Sequence, residues 1–373
     1  KNKDFPEKLM RRILTVNIMI LLIFASVSYW MEEGEKLKDT MASAETIQAE
    51  VSEPEVEKKY IKGVDFQVSC LALSESYEYD RDTYGTDHHI SWIDLLAWTA
   101  AHTGGSFSDD RKVCSLLTKL EEDVEGGKTL EQLTESLDCF SYYQEAYEAV
   151  LGGMVGEYEM EETEEGDQGR KVMKKRYGLK AFHPIAKGFP YTDYDDFGVS
   201  RTYGYRRAHL GHDMMGQTGT PVVCVESGYV EVLGWNQYGG WRIGIRSFDR
   251  KRYYYYAHLR QGFPYQPELK EGSVVLAGDV IGYMGHTGYS VKENVNNIDQ
   301  THLHFGMQLI FDESQKDGDD QIWIDCYQIV RFLYRQQSET IRDDETKEWR
   351  RVYLMKDPAA EAYERTLDFS MYP

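Results

Sequence analysis

No Cys-x-x-Cys pair occurs in the 373 residues; the five cysteines, Cys70, Cys114, Cys139, Cys224 and Cys326, are odd in number and scattered. That excludes a zinc ribbon and argues against a disulfide framework, so buried free thiols are expected, with Cys114–Cys139 the one bridge weighed. Positive charge is scarce. Lys and Arg number 42 against 63 Asp and Glu, a net charge of −21, which excludes nucleic acid as a partner. The same balance opposes adhesion of a free chain to an anionic surface, so work at such a surface would need a tether. Residues 64–155 lack a legible acid/base pair of carboxylates, Glu145 standing alone on a helix face. Asp80-Arg-Asp82 begins like a calcium loop, but Tyr84 and Ser91 fill positions that need other oxygen ligands.

A tether is present in the sequence. Residues 13–31 form a 19-residue run interrupted only by Thr15, Asn17, Ser26, Ser28 and Tyr29, about the length of a membrane-spanning helix. The basic segment 1–12 precedes it and Glu32, Glu33 and Glu35 follow, which predicts a single-pass anchor in the cell membrane with a cytoplasmic N-terminus and the bulk outside. The competing reading is a cleaved signal peptide with Ala25-Ser-Val-Ser28 as its small-residue region. No A-x-A site follows, and the uncleaved anchor is preferred. Residues 32–63 are acidic, lack periodic apolar positions and read as a linker.

Helix signals fill residues 64–155, the expected small all-α domain. Ser91-Trp-Ile-Asp94 is a capping box, Ser108 is read as the cap of a second helix, residues 129–137 form a short third, and 140–151 a fourth. Its role is not legible; structure or docking of a protein partner outweighs glycan binding. Residues 156–178, acidic then basic, read as a second linker, and 337–373 as a charged tail. Between them, residues 179–336 alternate short apolar segments with glycine turns, the pattern of an all-β unit.

Three short motifs in that unit carry chemistry: His209-Leu-Gly-His-Asp213, Tyr256-Ala-His258-Leu259 and His302-Leu-His304-Phe305. A hydrolytic first-row metal needs three protein ligands and an open position. His209 and Asp213 supply a nitrogen and an oxygen, and His304 a second nitrogen, leaving His258 and His302 for proton transfer. On a strand His302 and His304 share a face while Leu303 enters the core. Residues 252–259 also read as a strand, with Tyr254, Tyr256 and His258 on one face along a substrate groove. His212 is expected to point away, His286 is left out, and His88, His89, His102 and His183 read as structural.

The order H-x-G-x-D, Y-x-H-L, H-x-H-F resembles the lysostaphin-type (LytM-like) zinc endopeptidases of bacterial cell walls. Gly219-Thr-Pro-Val222 with Gly228-Tyr-Val230, the run from Leu269 to Gly282, and Gly285-His-Thr-Gly288 are similar to that family's intervening turns. The resemblance implies an antiparallel all-β domain with the LytM-like duplicated hybrid motif, over residues 179–336. It implies one zinc ion on His209, Asp213 and His304, with His258 and His302 as catalytic histidines and peptidoglycan as the partner and substrate. One departure is an Asn- and Asp-rich stretch, Tyr289 to Gln300, before His302; it reads as a loop at the groove rim. The other classes carried are a non-catalytic envelope scaffold or regulator on the same fold, and a wall-opening hydrolase docked by its helical domain to a secretion or conjugation machine.

Overall fold

The computed structural model describes residues 61–164, 170–203 and 205–370. These residues belong to one compact unit. No helix among the described residues is long and apolar enough to cross a membrane; the expected anchor 13–31, and the expected linker 32–63 up to residue 60, lie outside them.

Five helices come first: α1 (Cys70–Thr83), α2 (Trp92–Thr103), α3 (Asp110–Glu125), α4 (Leu130–Thr134) and α5 (Phe140–Leu151). Ser91 caps α2 by accepting from the Asp94 amide, and Gly104 ends it in the left-handed region, φ 65°. Asp109, not Ser108, caps α3 by accepting from Lys112. The rejected calcium loop is the end of α1. There the buried Asp80 carboxylate accepts from the Trp92 amide and the Tyr177 hydroxyl and contacts His89 Nε2, so its role is to staple three segments.

The strands follow. A hairpin of β1 (Val155–Thr163) and β2 (Lys171–Leu179) leads to β3 (Thr192–Asp193), β4 (Ser200–Tyr203), β5 (Tyr205–Ala208) and β6 (His212–Met215). Then come β7 (Pro221–Val223), β8 (Gly228–Asn236), β9 (Gly240–Ser247), β10 (Arg252–Ala257), β11 (Val274–Val275) and β12 (Val280–Tyr283). The last are β13 (His302–Leu309), β14 (Ile322–Ile324), β15 (Thr340–Arg342), β16 (Trp349–Arg351) and β17 (Met355–Lys356), with α6 (Tyr327–Leu333) and α7 (Pro358–Ser370). The main sheet is antiparallel and eight-stranded, in the order β11-β8-β9-β10-β13-β6-β3, with β14 also on β13.

Two regions depart from expectation. Residues 156–178 are not a linker: the acidic segment pairs in antiparallel register with the basic one, Glu159 opposite Lys175 and Glu157 opposite Tyr177. Glu162 meets Lys174 at 3.2 Å and also pairs with Arg176. The two charge runs match each other across a ladder, where opposite charges support pairing. Nor is 337–373 a solvated tail, because β17 adds to β1, Met160 opposite Met355, and Met355 is buried beside Phe182 and Val223. The thiols are free, but only Cys224 and Cys326 are buried; Cys70 and Cys114 are half-buried and Cys139 is exposed.

The helices share one hydrophobic core with the sheet. Tyr77 meets Phe332 of α6 edge-on and Trp92 meets it at a tilt, with centroids 5.7 and 5.6 Å away. A buried cation completes the junction. Arg252 donates to both carboxylate oxygens of Glu226 at 2.7 and 3.0 Å. It also donates to the Ala149 carbonyl at 2.9 Å, at the C-terminal turn of α5 where free carbonyls and the helix dipole favour a cation. Gly153 is required beside it, since a Cβ there would stand 1.6 Å from a Glu226 oxygen. Removing one partner strands a buried charge, which costs about 3–5 kcal/mol. Arg252→Ala is expected to lose that much in urea denaturation; a loss under about 1 kcal/mol, the level of an exposed pair, would contradict this role.

Candidate metal centre and groove

Asp213 on β6 and His304 on β13 are direct cross-strand partners. Their side chains therefore leave the same face of the sheet a few ångströms apart. Asp213 Oδ1 lies 2.9 Å from His304 Nδ1. His209, just ahead of β6, places Nε2 3.0 Å from Asp213 Oδ1 and 3.0 Å from His304 Nδ1. Among the described residues this trio is the one group that could hold a metal. Donors bound tetrahedrally to one zinc at 2.0–2.1 Å stand roughly 3.3 Å apart. The three atoms thus converge on one point with a mixed nitrogen and oxygen donor set, and the residues fit zinc.

The supports of the trio explain the spacing of its motif. Gly211, midway in His209-Leu-Gly-His-Asp213, lies under the His304 ring, where a Cβ would come within 2.6–2.7 Å of Cε1 and Nε2. The other nitrogen of His209, Nδ1, faces the Asp196 carbonyl at 3.1 Å and its carboxylate at 3.2 Å. Arg201 joins Asp196 at 2.6 Å to the outer oxygen of Asp213 at 3.3 Å. Carboxylates behind metal-facing histidines fix ring orientation and raise basicity. Burial disfavours the His209 imidazolium, but Asp196 and Asp213 outweigh it and hold its pKa up at about 9. Burial opposes the Asp213 charge as well, yet His209 and His304 hold its carboxyl well below the usual range.

His258 and His302 complete a ring of imidazoles. His258 lies with its centroid 4.8 Å from His302 and 5.8 Å from His304. Its Nδ1 faces the Thr287 carbonyl at 2.9 Å, so Nδ1 carries hydrogen and Nε2 is the free acceptor. Thr287 is itself held, its hydroxyl donating to the Leu259 carbonyl and accepting from the Trp241 amide. Burial, then the neighbouring histidines, push the His258 pKa well below its ordinary value. His302 Nδ1 likewise faces a carbonyl, Gln300, at 2.8 Å, and its Nε2 lies 3.8 Å from Asp213 Oδ1.

The expected groove tyrosines need correction. Tyr254 and Tyr256 are fully buried on the core side; their hydroxyls reach Glu226 and the Val225 amide. Alternation along β10 would place His258 with them, but His258 sits just beyond the strand with a left-handed backbone, φ 61°. That turn moves its imidazole to the opposite face, a conformation uncommon for a non-glycine residue. Tyr253 and Tyr255 therefore line the groove instead, with Trp323. The groove encloses about 870 Å³, and Arg201, Arg207, Arg242 and Tyr289 also line it. Of these only Tyr289 is named from sequence, as the first residue of the expected rim loop. Parity could have found Tyr255 once its register opposite Gly306 was known. Tyr289, which opens the inserted stretch, accepts a hydrogen bond from Arg207 at 2.7 Å. His212 turns away to Asp193 at 2.9 Å, His183 is buried against the Tyr191 hydroxyl, and His286 is tied to the Ile298 carbonyl.

Residues 207–317 match the model of Peptidase family M23. The L-Ala–D-Glu endopeptidase of Bacillus subtilis (strain 168) is 42% identical over 124 residues, 33% of this chain and 36% of that one. Lysostaphin of Staphylococcus simulans is 37% identical over 98 residues, 26% of this chain and 17% of that one. The chain thus spans about a third of the first relative's length and less of the second. A solved structure from Ruminococcus gnavus ATCC 29149, provisionally assigned as a lytM glycyl-glycine endopeptidase, covers 73% of this chain and 89% of that one at 24% identity and a TM-score of 0.46.

Two outcomes are expected here. Gly211→Ala should displace the His304 ring and weaken zinc binding by tenfold or more in a chelator competition, with the fold retained by circular dichroism. Zinc uptake displaces the proton that His209 holds below about pH 9, so affinity should rise with pH and level off near 9. An affinity flat between pH 6 and 9 would contradict the His209 assignment.

Proposed function

We propose that this chain, which carries a Peptidase family M23 domain at residues 207–317, is a membrane-anchored zinc endopeptidase that hydrolyses amide bonds in peptidoglycan peptides outside the cytoplasm. The observation that carries the reading is the convergence of His209 Nε2, Asp213 Oδ1 and His304 Nδ1 within 3.0 Å, ringed by two more imidazoles. The relatives' names support it: one is an L-Ala–D-Glu endopeptidase and another a glycyl-glycine endopeptidase. Tethering through residues 13–31 would hold an acidic chain at an anionic wall.

Zinc on His209, Asp213 and His304 would supply Lewis-acid polarisation of the scissile carbonyl and a water acidified towards neutrality. The remaining work falls to the chain. His258, kept neutral by burial and fixed in tautomer by Thr287, has a free Nε2 that accepts the proton of the attacking water. His302, whose Nδ1 is likewise turned to a carbonyl, that of Gln300, stands across the cluster beside the developing oxyanion, and the proton taken up by His258 passes to the leaving amine. Asp196 and Arg201 hold His209 and Asp213 in place. The aromatic floor of Tyr253, Tyr255 and Trp323 gives an extended peptide a surface parallel to β13.

The test is zinc content and release of wall peptides by the full chain. One zinc with cleavage is expected, and His304→Ala should lose both. His258→Ala should keep its zinc and lose turnover by roughly 10²–10⁴-fold. A zinc-loaded protein that cleaves no wall would turn the reading to a scaffold, and a fully active His258→Ala would overturn the mechanism.

A further inference from the structure

The charge of the groove runs against that of the chain. With 63 acidic residues against 42 basic, the groove wall presents Arg201, Arg207, Arg242 and Lys316 against Asp213 and Asp317. Asp213 belongs to the metal trio. Two of the four cations are engaged, Arg201 with Asp196 and Asp213 and Lys316 with Glu231 at 3.0 Å. Among the described residues no carboxylate pairs with Arg207 or Arg242. Both are half-buried, and in so acidic a chain carboxylates are plentiful, so leaving two partly desolvated guanidiniums without one needs a reason.

Their placement gives it. The Arg207 guanidinium lies 5.3 Å from the Tyr238 ring and 5.4 Å from the Tyr289 ring, and donates to the Tyr289 hydroxyl. Two aromatic faces and a hydroxyl hold the planar group still, so its orientation is fixed before any ligand arrives. Burial raises the Tyr255 phenol, and Arg242, the Asn236 side chain and Arg207 oppose that rise. On β9 Arg242 lies two residues from Gly244, the cross-strand partner of Tyr255, so it shares that face of the sheet, and both arginines line the groove with Tyr255. The reacting centre is close on either side: the Tyr255 ring is 5.8 Å from the His304 ring, and the Tyr289 ring is 5.9 Å from the His258 ring. One residue of extended peptide spans about 3.3–3.6 Å. With the arginine-to-ring leg of 5.4 Å added, an anion bound at these arginines lies within roughly one to three residues of the bond that is cut.

We infer that Arg207 and Arg242 form a carboxylate subsite beside the metal trio, selecting a peptide with a free carboxylate next to the scissile amide. A γ-linked glutamyl unit, whose α-carboxylate stands free, has that chemistry; a neutral glycine bridge does not. The inference rests on the peptidase reading above and narrows it. Tyr289, at the start of the inserted stretch, becomes a positioning residue that acts through Arg207.

The experiment compares two synthetic peptides, L-Ala–γ-D-Glu–L-Lys and its α-carboxamide counterpart, with pentaglycine as a third. Cleavage is read as kcat/KM with the full zinc-loaded chain, and binding by calorimetry with the full-length His258→Ala variant. A charge-assisted bond predicts that the carboxylate peptide binds and is cleaved roughly tenfold to a hundredfold better than the carboxamide. In Arg207→Gln and in Arg242→Gln that ratio should fall towards one, and Arg207→Lys should restore part of it. Two independent variants keep the test decisive if one fails to fold. Cleavage with a ratio within twofold, or a ratio unchanged in both variants, overturns the subsite and leaves the peptidase reading intact. Carboxylate-selective binding without cleavage of any peptide upholds the subsite and overturns the peptidase reading instead.

Discussion

The register between β6 and β13 is the constraint on which the site depends. Asp213 faces His304 and Phe305 faces His212 across the ladder, so one face carries the donors and the other the core. A slip of one residue would exchange the faces. Leu303 and Phe305, fully buried now, would stand in the groove, and the imidazoles of His302 and His304 would enter a hydrophobic interior. Burial of those two apolar side chains therefore enforces the geometry of the donors. The site is assembled by the hydrophobic core, not by attraction among its polar members, which left alone would repel or bind water.

The helices bear on the same register from behind. They cover the sheet face opposite the groove, and Arg252 fastens them there by joining Glu226 to the last carbonyls of α5. Tyr254, between Arg252 and Tyr256 on the buried face of β10, donates to the same Glu226. The strand that leads into His258 is thus held by a charged network on one side of the sheet while it delivers an imidazole to the other. A rigid strand ending in one left-handed residue places a side chain more narrowly than a long loop could, and the Thr287 carbonyl completes the fixation.

Around this rigid centre the groove is polar, aromatic and locally basic. Small residues make room for the rings: a Cβ on Gly244 would stand 2.0 Å from the Tyr253 hydroxyl, and one on Gly306 2.8 Å from the Trp323 ring. The inserted stretch contributes its first residue to the wall and ties itself down through Asn294, which accepts from the Trp241 indole and the Gly262 amide. Variation in that stretch would alter the rim without touching the trio, which separates what sets the chemistry from what selects the peptide.

A donor set suited to a metal is legible in the amino-acid sequence alone. Two histidines and an aspartate at H-x-G-x-D and H-x-H spacing carry it because donor type and short-range alternation are local properties, legible without a fold. Helix α5 was legible to the residue, and α2 through its capping box, because caps and glycine stops are local too. The rest was decided by tertiary structure. Residues 156–178 read as a linker because a strand whose charges are matched only by its partner looks solvated in isolation. Tyr254 and Tyr256 were assigned to the groove because alternation was extended through His258, whose backbone leaves the strand pattern only where the Thr287 turn packs against it. Arg207, Arg242 and Tyr289 carry no motif, since their meaning lies in which rings and charges surround them. Long-range packing chooses those neighbours, and no short window of sequence contains them.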